Sequence, residues 1–489
     1  MADNRQGRRT FIAALGGLVA SGIKGQVLGD QFVESVPLST PSVAGKVTRH
    51  GDPDYEWQRS AAVWQARKPA RYPELIVQAR TEADVTETLR YARAKRMTVS
   101  VRGSGHNYSA SYLRDGGILL DVSRLRDIQI NAGQRHARVG PGIKAAELAA
   151  TLGKYDLAFP VAHAGTVGLG GFLLGGGMGW NGESWGQFAC FNIRAVDVVT
   201  AQGERITVSS DSHPDLYWAA RGAGPAFSAV AVGFYIDLFP LPPAITASAR
   251  VYSIDALADV TEWLEESAPH DAKVELTLVL ENDVQEDVDG IDPEKLCVVS
   301  MVCFADDEDE ARTVLGKLAE DAPEDGCIDC EAIRPTNFAE LLAAGRTSVP
   351  RRVAVDTAWV NRRREALLAL GSHFKAAPSP DTVVIANYRA NPHVTAGEAA
   401  CSVIAPLFFN CFTGWDQPAD DALNLQWIDT AVEVLQPFTV GCYINETDIF
   451  RRPDRAQLCF SDESWRRLFA VQEKYDPEGT FAPPFELQS

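Results

Sequence analysis

From Thr81 onward apolar positions recur at helical spacing. Val85, Leu89 and Ala92 fall on one face, and Thr81 with Asp84 supplies a capping-box-like start. The pattern then shortens into runs. Residues 97–101 and 118–122 read as strands and Ala145–Leu152 as a helix. Ile193–Thr200 and residues 205–208 flank Ala201-Gln202-Gly203-Glu204, which predicts a hairpin. Residues 215–221 read as a helix, and residues 228–238 as a buried strand that stops before Pro240. These elements predict a first lobe over residues 66–240.

Leu241-Pro242-Pro243 punctuates the chain, and the pattern changes beyond it. Longer strands at 249–254, 273–280 and 296–304 alternate with helices near 310–318 and 362–370. Strands of this length separated by surface helices predict an antiparallel sheet covered by helices on one face, hence an α+β, two-lobed chain. The acidic runs at 306–310 and 320–325 read as solvated surface.

A chain of 489 residues is long enough for two cores. Its net charge of -19 and isoelectric point near 4.9 argue against a nucleic-acid or anionic-membrane partner. The nine cysteines sit mostly in apolar runs and read as small buried hydrophobes. Cys327 and Cys330 form a C-x-x-C without a second pair or a nearby histidine, and no metal site is expected. Arg5, Arg8 and Arg9 precede an apolar run at residues 11–20 that is too short to span a membrane. Arg8-Arg9-Thr10-Phe11-Ile12 resembles a twin-arginine signal, so residues 1–30 are expected to direct export, with a cytoplasmic location if the segment is not functional.

Three segments carry candidate chemistry. Arg102-Gly103-Ser104-Gly105-His106-Asn107 places an imidazole on a glycine-rich turn after a strand, where backbone N–H groups can curl toward a phosphate and Arg102 would add charge. Taken alone, His106 reads more readily as a turn histidine with a solvent or backbone partner. A second glycine tract runs from Gly165 to Gly179, dense enough to lay backbone against a flat or charged ligand. Gly177, Gly179 and Gly182 satisfy G-x-G-x-x-G, but no strand precedes them and residues 180–186 are poor helix material, so the dinucleotide-fold reading is set aside. Downstream, Gly441-Cys442-Tyr443-Ile444-Asn445-Glu446 read as a strand would put Tyr443 and Asn445 on one face, a phenol and an amide able to orient a hydroxyl and take its proton.

The three segments together, in this order, resemble the FAD-linked oxidases of the vanillyl-alcohol oxidase superfamily, most closely the berberine-bridge-enzyme-like branch. Asp215-Leu216-Tyr217-Trp218-Ala219-Ala220-Arg221-Gly222 and Lys474-Tyr475-Asp476-Pro477 add to the resemblance, which runs from about Arg71 to the C-terminus. It implies a PCMH-type FAD-binding lobe over 66–240, a substrate-binding insertion over 241–437 and a C-terminal segment, 438–489, that returns to the first lobe. It also implies FAD held by Arg102, Gly103, Ser104, Gly105, Asn107, Tyr108, Gly165, Thr166, Val167, Gly168, Gly170, Gly171, Gly175, Gly176, Gly177, Val232, Tyr443 and Asn445, and bonded through His106 to the 8α-methyl carbon of the flavin. Many relatives add a second bond through a cysteine where this chain has Ala164, so a single attachment is expected. Tyr443 takes the family's base position, with Asn445 beside it, and Tyr388 is a candidate for the substrate side. The implied activity moves a hydride from an alcohol, sugar or secondary-metabolite substrate to FAD and then to O2, releasing H2O2. Val167 matches a position that tunes oxygen access. A dehydrogenase with another acceptor, or a lapsed flavin-binding protein, is the alternative.

Overall fold

The computed structural model describes residues 40–267, 270–282, 294–344, 351–395 and 397–482. The twin-arginine-like segment lies outside them. Three sheets of four or more strands, and a two-stranded one pairing Leu157–Ala158 with Phe239–Pro240, organise the described residues. The first has four strands in the order Lys46–Arg49, Leu75–Gln78, Ile118–Asp121, Val99–Arg102, the last three parallel. Helix Glu82–Lys95 covers it, capped as the sequence predicts by Thr81 and Asp84, and buries Val85, Leu89 and Ala92 against Leu75, Val77 and Leu120. Lys46–Arg49 pairs antiparallel with Leu75–Gln78, so the first lobe starts well before residue 66. This stretch was missed because a four-residue strand with one buried position carries almost no alternation to read.

The second sheet is antiparallel, in the order Ile128–Asn131, His136–Val139, Ala229–Asp237, Ile193–Thr200, Arg205–Ser209, and includes the predicted hairpin. Val199, Val230 and Val232 pack it against the first sheet. The third sheet has nine strands, all antiparallel neighbours, running from Cys327–Cys330 at one edge to Thr439–Gly441 at the other. Its strand Val274–Asn282 alternates strictly. Leu276, Leu278 and Leu280 turn into a core under helices Leu257–Glu266, Glu308–Ala319, Arg363–Phe374 and Asp421–Leu435, while Glu275, Thr277, Val279 and Glu281 turn toward the first lobe. One face is therefore stabilised by helix packing and the other is free to line a cleft.

Cys327 and Cys330 are disulfide-bonded to each other, and the other seven cysteines are free and buried. After Thr439–Gly441 the chain crosses back to the first lobe. Helix Asp462–Tyr475 packs beside Pro214–Ala219, where Tyr475 Oη and Lys474 Nζ both donate to the Asp215 carboxylate at 2.6 Å. The tail then docks on Val99, whose N–H donates to the Thr480 carbonyl at 2.7 Å and whose carbonyl accepts from Ala482. No helix among the described residues is long and apolar enough to cross a membrane.

Candidate active site

The three chemistry-bearing segments meet in one cavity of about 1090 Å³ between the first lobe and the open face of the nine-stranded sheet. Gly103, Ser104, Gly105, His106, Asn107, Tyr108, Val167, Gly168, Gly170, Gly171, Tyr443 and Asn445 all line it. The parallel register of Val99–Arg102 on Ile118–Asp121 fixes where the first glycine turn leaves the sheet. At Gly105, φ is +81° and a Cβ would lie 2.3 Å from the Ala62 carbonyl oxygen, so only glycine fits. Among the described residues, the backbone N–H groups of residues 103–107 donate no hydrogen bond within the protein. They are left for a ligand. Ser104 ties this turn to the second tract by accepting from the Gly168 N–H at 2.9 Å.

His106 stacks on Trp64, ring centroids 5.3 Å apart and 14° from parallel. Burial, then the nearby Lys144 and Arg102 charges, push its pKa down to about 4, so the imidazole is neutral and nucleophilic at physiological pH. Asn107 accepts from Ser111 N and donates to the Asn445 carbonyl at 3.2 Å, which joins the first turn to the downstream segment. Tyr443 Oη receives the N–H groups of Gly177 at 3.0 Å and Met178 at 3.2 Å and the Asn445 amide at 2.9 Å. Burial dominates those donors and raises the phenol far above its ordinary pKa, helped by the Glu446 carboxylate.

Several candidates sit elsewhere. Arg102 does not reach for a phosphate: its guanidinium bonds Asp121 at 2.7 Å, the Ala62 carbonyl at 2.8 Å and the Ser104 carbonyl at 3.1 Å, because a buried charge needs its partners close. Gly165 is pressed on Ala146 at the start of helix Ala145–Leu152, and Thr166 is exposed. Gly175, Gly176 and Gly177 lie behind the cavity wall and give Asn445, Tyr443 and Phe172 room; a Cβ on Gly175 would stand 2.0 Å from Asn445 Oδ1. Within the tract, Leu169–Leu174 forms a short helix that the glycine count concealed, held by burial of Leu169, Phe172 and Leu173. Strand alternation removes Val232, which faces the sheet interface while Ala229 and Ala231 face the cavity. Tyr388 borders the cavity, but its ring turns into the helix-covered core with Val384 and Ala386, under Arg363, while Ile385 and Asn387 face the cavity. Residues 443–446 form a turn rather than a strand, closed by bonds from Glu446 N and Thr447 N to the Tyr443 carbonyl, yet the Tyr443 and Asn445 side chains still meet.

Sequence reasoning missed Trp64, Phe172, Asn410 and Glu446. Trp64 lies upstream of the expected lobe. Asn410 lies in strand Leu407–Trp415, whose burial on both faces hides which side chains point to the cleft. His163 also borders the cavity, with its ring 4.5 Å from Trp180 and its Nε2 3.0 Å from Glu275.

The FAD binding domain family matches residues 73–209. The FAD-linked oxidoreductase nodO of Hypoxylon pulicicidum is 28% identical over 431 residues, covering 87% of this chain and 93% of that one. The chain is an FAD-linked oxidoreductase. (R)-6-hydroxynicotine oxidase of Paenarthrobacter nicotinovorans is 34% identical over 243 residues, 48% of this chain and 52% of that one. Among solved structures, the berberine-bridge-like enzyme 1 of Physcomitrella patens superimposes with a TM-score of 0.78 at 18% identity, over 91% of this chain and 97% of that one. 6-Hydroxy-D-nicotine oxidase of Arthrobacter nicotinovorans does so with a TM-score of 0.78 at 23% identity, over 92% and 100%. The cavity fits FAD. Its wall carries free backbone N–H groups at residues 103–107, and a Cβ on Gly171 would project into open space.

Proposed function

We propose that this FAD-linked oxidoreductase is an oxidase with singly attached FAD, acting on an alcohol, sugar or secondary-metabolite hydroxyl and passing the electrons to O2. The observation that carries the reading is the neutral His106 imidazole, stacked on Trp64 at the cavity wall beside a turn of unpaired N–H groups. His106 would bond the flavin's methyl carbon. The residue 103–107 turn and Gly168, Gly170 and Gly171 would hold the cofactor, which supplies a two-electron acceptor when bound. Ala164 lies in the wall without a thiol, in keeping with one attachment rather than two. The substrate would lie against the sheet, where Phe408, Phe412 and Ile385 offer apolar surface and Thr277, Asn387 and Asn410 offer polar groups.

Oxygen as acceptor rests on Val167, a small side chain in the wall. A grass pollen protein of the same fold, 16% identical to this chain, is a glucose dehydrogenase, and an isoleucine-to-valine variant of it is a glucose oxidase. The division into a 66–240 cofactor lobe, a 241–437 substrate lobe and a returning tail is part of this reading, with the first boundary moved back to include residues 46–61. So is export through residues 1–30, which favours a cofactor that cannot be lost in transit.

Acid precipitation tests the attachment. Yellow colour is expected to stay with the washed polypeptide, with flavin mass on the peptide that contains His106, and His106→Ala is expected to release FAD into the supernatant. A colourless wild-type pellet would refute the tether. Peroxide formed in proportion to substrate consumed distinguishes the oxidase from a dehydrogenase.

A further inference from the structure

Glu446 follows Asn445 on the turn that carries Tyr443, and its carboxylate faces the cavity. One oxygen accepts the Asn410 amide at 2.6 Å from the opposite lobe, and the other takes no hydrogen bond among the described residues. Asn410 Oδ1, beside it, is buried without a partner. A carboxylate oxygen and an amide oxygen, both unpaired on one wall of a substrate-sized cleft, are placed to receive a donor from a bound molecule. Tyr443 is differently placed. Its oxygen already receives three N–H donors, so as a phenol it has no lone pair left for an incoming proton.

We propose that Glu446, and not Tyr443, accepts the proton of the substrate's hydroxyl or amine. This rests on the oxidoreductase reading above and deepens it. Bound FAD would supply the acceptor for the substrate's C–H hydrogen and its two electrons, and the O–H or N–H proton would go to the Glu446 carboxylate as a C=O or C=N bond forms. The proton then returns to solvent through the cleft. Glu446 suits the task electrostatically: burial raises its carboxyl to about 7, against the lowering effect of His163 and of the Asn410 hydrogen bond. The other titratable groups around it are Tyr443 and Tyr108, both held protonated by burial with Glu446 opposing their ionisation, and Glu275, which is engaged with His163 and the Asn181 N–H. Tyr443 then serves as a positioning residue, fixed by its donors, that keeps Asn445 and the Gly177 backbone in place.

The test uses holoenzyme with 6-hydroxynicotine, glucose and coniferyl alcohol as probes. Anaerobic flavin bleaching in wild type is expected to speed up as pH rises through about 7. Glu446→Gln is expected to keep the flavin content and visible spectrum, lose that pH dependence and slow bleaching about 100- to 10,000-fold. Glu446→Asp is expected to restore a pH-dependent rate, and Tyr443→Phe to keep the wild-type profile at a lower rate. Independently of turnover, infrared titration is expected to show a protonated carboxyl band that disappears through neutrality and is missing in Glu446→Gln. Wild-type rates and profile in Glu446→Gln, loss of the profile in Tyr443→Phe, or no such band would overturn the proposal. If no probe bleaches wild type, the substrate reading fails, while the infrared band still decides for or against Glu446.

Discussion

Asp121→Asn probes the brace that holds the His106 turn. In the wild type the Arg102 and Asp121 side chains are 12% and 5% exposed, and the pair closes at 2.7 Å. The same guanidinium holds the Ala62 and Ser104 carbonyls, so one cation ties the upstream segment, the strand end and the turn. The amide can still accept from the Ser123 N–H, as Asp121 does at 2.9 Å, but it leaves a buried guanidinium without its counter-charge. Breaking such a pair costs about 3–5 kcal/mol, and the retained hydrogen bonds place this case near about 3. For a lobe of this size that corresponds to a fall in Tm of roughly 6–12 °C. The assay is thermal unfolding followed by tryptophan and by flavin fluorescence, with flavin content measured on the same samples. Flavin incorporation should fall with stability, because the turn carries the proposed attachment site. A double variant, Arg102→Met with Asp121→Leu, should recover much of the stability but not the flavin content. A single variant within 1 °C of wild type and fully loaded would show that the pair does not brace the turn.

Stability should also report the Glu446 carboxyl. Its folded pKa of about 7 lies above the ordinary 4.5, so the folded state resists ionisation: the penalty is absent below about 4.5, grows as pH rises to about 7 and is complete above that. Glu446→Gln should therefore gain on wild type by up to roughly 3 kcal/mol in chemical denaturation at pH 8 and show no gain at pH 4. Gly175→Ala should push the Asn445 amide off Tyr443 Oη, slowing anaerobic bleaching and lowering Tm; unchanged bleaching would mean that the amide contact does not matter to the reaction. Val167→Ile should slow reoxidation of the reduced enzyme by O2 while leaving anaerobic bleaching alone, and equal slowing of both steps would remove Val167 from oxygen access.

Elements with a clear period were legible in the sequence. Helix Glu82–Lys95 announced itself by cap and stripe, the 193–209 hairpin by its turn, and the long strands of the third sheet by their length. Facing was not legible. Val232 belongs to a strand buried on both sides, where composition does not say which neighbour is a cofactor and which is a core, and Tyr388 lies on the fully buried face of an alternating strand, which the sequence alone does not assign to core or cleft. The glycine tracts pointed to a cradle, but which glycines touch the cavity depends on what stands behind them, as Asn445 stands behind Gly175. Arg102 and Glu446 were both in quoted motifs, yet their partners, Asp121 and Asn410, are remote in sequence and only the fold brings them near.

The docking of Thr480 and Ala482 on Val99 has a consequence for biosynthesis. A ribosome finishes the glycine turn and its strand long before it makes the segment that latches them, and until residues 443–482 have left the exit tunnel neither that latch nor Tyr443, Asn445 and Glu446 are in place. Loading of the flavin should therefore wait for that segment to emerge, and a polypeptide truncated before Thr480 should be synthesised soluble but colourless.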